Sequence, residues 1–204
     1  YFPKQDPSVQ AVLCCDNVNR GLGFGNGKIF LQQNDGNLVA LNAKTGAKVW
    51  STLNTDPKVG ATNTNAPHVI KDKVLTGCSG AEFGVRCFIA AYNIEDGSLA
   101  WKAMSTGPDS EVLIGADFNK ENPLYSALSV YEDVNGGNVE GGSFKRIPND
   151  QLQGGVADLG LKTWLKPQAV KDGWQHGGGS VWGWWPYDAK TNLVYYGTGN
   201  PSVW

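Results

Sequence analysis

A carboxylate among small residues, an asparagine between glycine and proline, a run of tryptophans and two adjacent cysteines are the parts of this sequence that could do chemistry. Residues 177–204 read GGGSVWGWWPYDAKTNLVYYGTGNPSVW. The three successive glycines let a backbone approach a ligand closely, because no Cβ stands in the way. Trp182, Trp184 and Trp185 supply flat apolar faces, and Asn200 follows 18 residues after Trp182 with an amide oxygen able to meet a cation. A flat aromatic wall and a hard oxygen donor suit a planar cofactor sitting on a metal. The same residues equally suit a tryptophan-rich corner of an all-β core, closed by a Gly-Asn-Pro turn.

Cys14 and Cys15 are neighbours. A disulfide between them would span Cα atoms about 3.8 Å apart across a trans peptide, below the usual range, and such strain is kept mainly at working sites. Two reduced, buried thiols are the other reading. Arg20 follows in CCDNVNRG; its guanidinium suits a carboxylate or quinone oxygen, though a lone arginine is commonly a solvated side chain. In GCSGAEFGVRC, residues 77–87, the small residues Gly77, Ser79, Gly80 and Ala81 precede Glu82. That is a cradle for a flat ligand with a metal beside it, or simply a strand end carrying an exposed charge. Cys78 and Cys87 could pair, though two separate buried thiols are the favoured reading. His68 and His176 have no metal-ligand spacing, and no nucleophile elbow, phosphate loop or dinucleotide fingerprint is present.

The elements that must position these residues are strands. KIFLQQ and NLVALN flank NDG, a strong hairpin signal, and AKTG turns the chain into the strand AKVWSTL. CFIAAY is a buried strand candidate, and Tyr1–Gln10, polar with two prolines, reads as a loop. Residues 40–50, ALNAKTGAKVW, and 91–101, AYNIEDGSLAW, share A-x-N-x-x-[T/D]-G-x-x-x-W at an offset of 51, and a degenerate third copy starts at Tyr187 with Asn192 in place of the glycine. A period of about 50 residues with strands and turns inside it indicates four-stranded propeller blades. The sequence therefore predicts an all-β propeller, with about three blades in residues 1–204 and a long surface excursion at about 118–175. The formal net charge of −2 and the absence of a Lys/Arg run argue against nucleic acid or an anionic membrane as the main partner. No apolar run approaches the roughly 20 residues of a membrane-spanning helix.

CCDNVNRG, GCSGAEFGVR, GGGSVWGW and YYGTGNP, in this order and spacing, resemble the pyrroloquinoline quinone-dependent methanol and alcohol dehydrogenases. The resemblance covers nearly the whole chain except residues 118–175. It implies an eight-bladed β-propeller with a tryptophan docking motif in each blade, of which this sequence holds only the early ones. It further implies that Cys14 and Cys15 form a vicinal disulfide capping one face of the quinone, and that Trp182 stacks on the other. Arg20 would lie near the quinone oxygens, Thr64, Ser79 and Ser180 at the cofactor's carboxylates, and the backbone of Gly80 and Ala81 beside it. Glu82, itself beside the cofactor, and Asn200 would be metal ligands.

The implied reaction is oxidation of methanol or another small primary alcohol to the aldehyde, with electrons passing to a cytochrome c. The metal is a lanthanide(III) or Ca²⁺, with GVRC and the excursion favouring the lanthanide branch and Ala81 pointing weakly the other way. The catalytic aspartate base is expected beyond Trp204, so residues 1–204 contain no catalytic residue and are expected to be inactive alone. A periplasmic location is implied, and a homodimer of the full-length protein is compatible with the family. The competing functions are a quinoprotein dehydrogenase for longer alcohols or aldehydes, and a non-catalytic propeller scaffold.

Overall fold

The computed structural model describes residues 1–13, 16–114 and 173–200, with short pieces at 131–133, 144–146, 148–151 and 161. Two four-stranded antiparallel sheets form its body, each in simple meander order. The first comprises β1 (Gly23–Gly25), β2 (Lys28–Gln32), β3 (Asn37–Asn42) and β4 (Lys48–Leu53). The second comprises β5 (His68–Ile70), β6 (Lys73–Thr76), β7 (Phe88–Asn93) and β8 (Leu99–Met104). Short pieces β9 (Tyr131–Asp133) and β10 (Phe144–Arg146) pair with each other. A last hairpin joins β11 (Tyr187–Asp188) to β12 (Leu193–Val194). The all-β, blade-like architecture expected from the repeat is present.

The repeat is reproduced in detail. Asn42 and Asn93 open equivalent turns, in which the Gly46 and Gly97 N–H groups donate back to the Asn42 and Asn93 carbonyls at 2.8 and 2.9 Å. Both glycines have positive φ, 71° and 72°, a conformation that costs a Cβ-bearing residue energy. The pairing then slips at the same place in each sheet. Trp50 faces Ala40 but Lys48 faces Leu41, and Trp101 faces Ala91 but Leu99 faces Tyr92. One residue, Val49 or Ala100, is thereby left over as a β-bulge.

Strand β7 explains why CFIAAY is apolar throughout. Phe88, Ala90 and Tyr92 pack toward the first sheet with Phe30, Leu38, Trp50 and Val74. Ile89 and Ala91 face the other way, into a cluster with Leu75, Val181 and Trp185 that Tyr187 and Val194 cover. A strand buried on both faces has no reason to alternate. Between the sheets lies a buried polar layer. Asn54 donates to Asn63 Oδ1 at 2.8 Å and to the Gly77 carbonyl at 2.9 Å, and accepts from the Tyr92 hydroxyl at 2.9 Å. Burial pushes the Tyr92 phenol up to about 12.

Two expectations need amending, and a third is not tested. The start of the chain is not all loop, because Pro7–Val12 forms a 3₁₀ helix capped by Asp6, whose carboxylate accepts from Ser8 N–H at 2.9 Å. Cys78 and Cys87 are not separate thiols but a disulfide, with Cα atoms 5.4 Å apart. Two glycines in left-handed conformation, Gly80 and Gly84, bracket a 3₁₀ turn at Ala81–Phe83 and fold the eight intervening residues back on themselves. The excursion at 118–175 falls almost wholly outside the described residues.

Candidate functional site

A cleft of about 190 Å³ opens where the segment before the first sheet, residues 62–64 and the Cys78–Cys87 loop meet the segment after the glycine run. Asp16, Val18, Arg20, Thr62, Thr64, Ser79, Glu82, Ser180 and Trp182 line it. Its floor is a short antiparallel bridge, in which Thr62 and Ser79 exchange N–H···O bonds of 3.1 and 2.9 Å. This bridge sets Thr64 Oγ1 and Ser79 Oγ 2.7 Å apart. Gly80 and Ala81 are buried behind it. A Cβ on Gly80 would come within 2.1 Å of the Gly60 carbonyl oxygen, so that position tolerates no side chain.

Arg20 donates to the Thr64 carbonyl at 3.0 Å, and its guanidinium carbon stands 4.7 Å from the centroid of the Trp182 ring. One N–H group is committed by the carbonyl, leaving other donors of the fork available. Trp182 remains 45% exposed. Glu82 is exposed and has no hydrogen bond or ion pair among the described residues. Ser180 is buried, with its hydroxyl 3.8 Å from Cys87 Sγ. The disulfide thus closes the loop that carries Ser79 and Glu82 and also touches the opposite wall.

The three tryptophans have different fates. Trp182 lines the cleft, Trp184 is 72% exposed, and Trp185 is core. The glycine run does approach something closely, but that something is the chain itself. Gly177 to Gly179 all have positive φ, and a Cβ on Gly177 would sit 2.8 Å from the Gly84 carbonyl carbon. Gly178 instead pairs with Arg86 and accepts from Cys87 N–H at 3.1 Å. The glycines therefore dock the Trp182 segment onto the Glu82 loop.

Asn200 does not line the cleft. Its carbonyl accepts from Gly179 N–H at 3.0 Å, and Gly199 N–H donates to the Ser180 carbonyl at 2.8 Å. This two-rung ladder holds Asn200 beside Ser180 and leaves its amide exposed. Cys14 and Cys15 lie outside the described residues. His68 sits in β5 near Trp185, with ring centroids 6.4 Å apart. Asp16, Val18 and Thr62 were not singled out from the sequence. The only signals were the position of Asp16 right after the cysteine pair and the polar run TNTN.

The lining set fits a flat, anionic ligand with polar edges. An indole face receives the ring, a guanidinium and hydroxyls meet anionic oxygens, and an unpaired carboxylate can meet a cation. The exposed Glu82 carboxylate and the exposed Asn200 lie among the described residues near the cleft, and a large hard cation takes six or more oxygen donors. Among the described residues there is no cluster of three His, Cys, Asp or Glu that would hold a metal, and no helix is long and apolar enough to cross a membrane.

A family model described as outer membrane protein assembly factor BamB matches residues 17–144. Methanol dehydrogenase (cytochrome c) subunit 1 of Methylorubrum extorquens is 45% identical, across 99% of this chain and 28% of that protein. The lanthanide-dependent methanol dehydrogenase of Methylacidiphilum fumariolicum is 44% identical, across 100% of this chain and 28% of its own length. Among solved structures, a europium-containing methanol dehydrogenase matches with a TM-score of 0.75 at 44% identity, over 98% of this chain and 29% of that one. The chain thus spans less than a third of the length of these relatives.

Proposed function

This chain belongs to the quinoprotein β-propeller family, as a partial chain of the methanol dehydrogenase large-subunit type, and from that premise we propose that its cleft holds pyrroloquinoline quinone for oxidation of methanol or another small primary alcohol. The observation that carries this reading is the convergence of Arg20, Thr64, Ser79, Glu82, Ser180 and Trp182 on one cleft. When bound, the quinone supplies an electrophilic carbonyl that accepts two electrons from the alcohol, and a Lewis-acidic metal beside it raises that reactivity.

The chain's own residues bind and orient. Trp182 would offer its face to the ring, and we assign the Cys14–Cys15 pair to the opposite side. Arg20 would donate to the quinone's oxygens, while the hydroxyls of Thr64, Ser79 and Ser180 would face its carboxylates. The backbone at Gly80 and Ala81 closes one edge and excludes water. Glu82 and Asn200 supply metal oxygens, for a lanthanide(III) or for Ca²⁺. The base that takes the alcohol proton is assigned to none of the residues 1–204. A cytochrome c would be the electron acceptor. The Cys78–Cys87 disulfide supports a periplasmic location, since such bonds persist in oxidising compartments.

The test uses the full-length protein, reconstituted with pyrroloquinoline quinone and either La³⁺ or Ca²⁺. Dye-linked oxidation is measured with methanol, longer primary alcohols and an aldehyde, and metal content by elemental analysis. Turnover of methanol is expected, with Glu82→Gln losing metal and activity because a negative ligand is gone. Bound quinone without turnover of any alcohol under either metal would sink the proposal. A clear preference for longer alcohols would reassign the substrate within the same chemistry.

A further inference from the structure

Arg86 lies outside the cleft, yet it ties the loop that carries Glu82 to the 105–111 loop, to Trp174 and to the segment that leads to Ser180 and Trp182. Its Nη2 donates to the Thr106 carbonyl at 2.6 Å and pairs with Glu111 Oε2 at 2.8 Å. Its guanidinium carbon stands 4.7 Å from the centroid of the Trp174 ring. Its backbone forms a parallel bridge with Gly178, next to the residues that lead to Ser180 and Trp182. It is also the last residue of the loop closed by Cys78 and Cys87, four residues after Glu82.

The surroundings are shaped to receive this side chain. Gly107 has φ 118°, and a Cβ there would come 2.4 Å from Arg86 Nη2 and 3.1 Å from the Trp174 ring. Thr106 Oγ1 in turn donates to the Trp174 carbonyl at 3.2 Å, and Met104 N–H to the Glu111 carbonyl at 2.9 Å. Ion pair, carbonyl contact and ring contact all converge on one planar group. A lysine at this position would keep the charge but could not stack flat or hold two partners in a fixed fork.

We infer that Arg86 is a positioning residue for Glu82, clamping the Cys78–Cys87 loop to the 105–111 loop and to Trp174 so that the carboxylate is held at the cleft. The inference rests on the reading of the cleft as a quinone and metal site. Glu82 has no partner of its own among the described residues, so its placement depends on how firmly its loop is held. Loss of an outer contact that orients a ligand commonly costs about 10- to 100-fold in metal affinity.

The test uses the full-length protein as wild type, Arg86→Lys and Gly107→Ala. Gly107→Ala displaces the guanidinium without removing it. Equilibrium dialysis against La³⁺ and against Ca²⁺ gives the metal Kd, quinone absorbance gives cofactor occupancy, and thermal melting gives the folded fraction. Both variants are expected to weaken metal binding about tenfold or more per folded molecule, with Arg86→Lys melting close to wild type. Unchanged metal Kd in both, or a lower melting temperature with unchanged Kd, would show a merely structural role and overturn the inference. A wild-type protein that binds neither quinone nor metal would instead overturn the functional reading on which it stands.

Discussion

The seam between the first and second sheets and the seam between the second sheet and the last hairpin come from the same repeat and turn out differently. At the first seam, Trp50 is 9% exposed, and its ring N–H donates to the Ile94 carbonyl at 3.2 Å. Thr52 donates to the Gly97 carbonyl at 2.8 Å, and Lys28 pairs with Glu95 at 2.7 Å. At the second, the equivalent Trp101 is 39% exposed. Ala103 stands where Thr52 would be, Lys190 where Glu95 would be, and Asn192 where Gly97 would be. A Cβ at Gly97 would lie 2.6 Å from the Trp50 ring, so an asparagine at the matching place denies a tryptophan that seat. What remains there is a polar latch, with Lys71 donating to Asn192 Oδ1 at 2.7 Å. A docking repeat thus works as a pair: the tryptophan in one copy is only as buried as the turn in the next allows.

The strongest way to break this comparison is to remove both tryptophans in turn from the full-length protein. Trp50→Ala should cost about 3–5 kcal/mol, read as a lower denaturant midpoint, and Trp101→Ala about 1 kcal/mol or less. Equal losses would mean the seams do not differ. Next comes the seat itself. Gly97→Ala combines a positive φ with a clash on the Trp50 ring and should cost about 1–3 kcal/mol. The converse exchange, Asn192→Gly with Lys190→Glu, should shield Trp101, measured as reduced acrylamide quenching of tryptophan fluorescence. No change in quenching would show that more than the turn decides the burial.

Smaller effects sharpen the picture. Thr52→Val removes the hydroxyl donor from the Gly97 carbonyl and should cost about 1 kcal/mol by the same denaturation assay. The smallest effect is one of pH. Hydrogen bonding from Lys28 holds the exposed Glu95 carboxyl below its ordinary value of 4.5. A depressed carboxyl contributes stability above its unfolded pKa and loses it as pH falls through the folded value. Glu95→Gln should therefore narrow the gap in melting temperature between neutral pH and pH 3, while leaving the rest of the acid dependence alone.

The repeat was legible because each of its parts has a local cause. Turn glycines need positive φ, alternation follows the pleat, and NDG makes a hairpin whatever surrounds it. The cleft was legible only in pieces. Arg20, Glu82 and Trp182 stand out by type, while Thr64, Ser79 and Ser180 enter as cofactor contacts only through the family resemblance, and the contacts that gather them are between backbones far apart in sequence. Thr62 was missed because its role is to pair with Ser79, and Arg86 because its partners are a carbonyl, a carboxylate and a ring drawn from other segments. The Cys78–Cys87 pairing was misread for a related reason: a spacing of nine residues says nothing about whether two left-handed glycines will return the chain to its start. Likewise GGG advertises close approach without saying to what.

The leftover residue at each strand slip, Val49 in one sheet and Ala100 in the other, makes the motif sensitive to length in a way that composition conceals. Deleting Val49 would close the bulge, leaving Lys48 opposite Leu41 and Trp50 opposite Ala40 in a regular ladder, and would remove the local bend and twist that a bulge gives its strand. The ring would then meet Ile94 and Gly97 at a changed angle, with every remaining letter of the motif intact. Substitutions can accumulate in the eleven-residue unit, as the third copy demonstrates, while a deletion at the slip changes how its tryptophan is aimed. Copies of this unit can therefore drift in sequence and still be counted in register, whereas a change of one residue in length alters the seat itself.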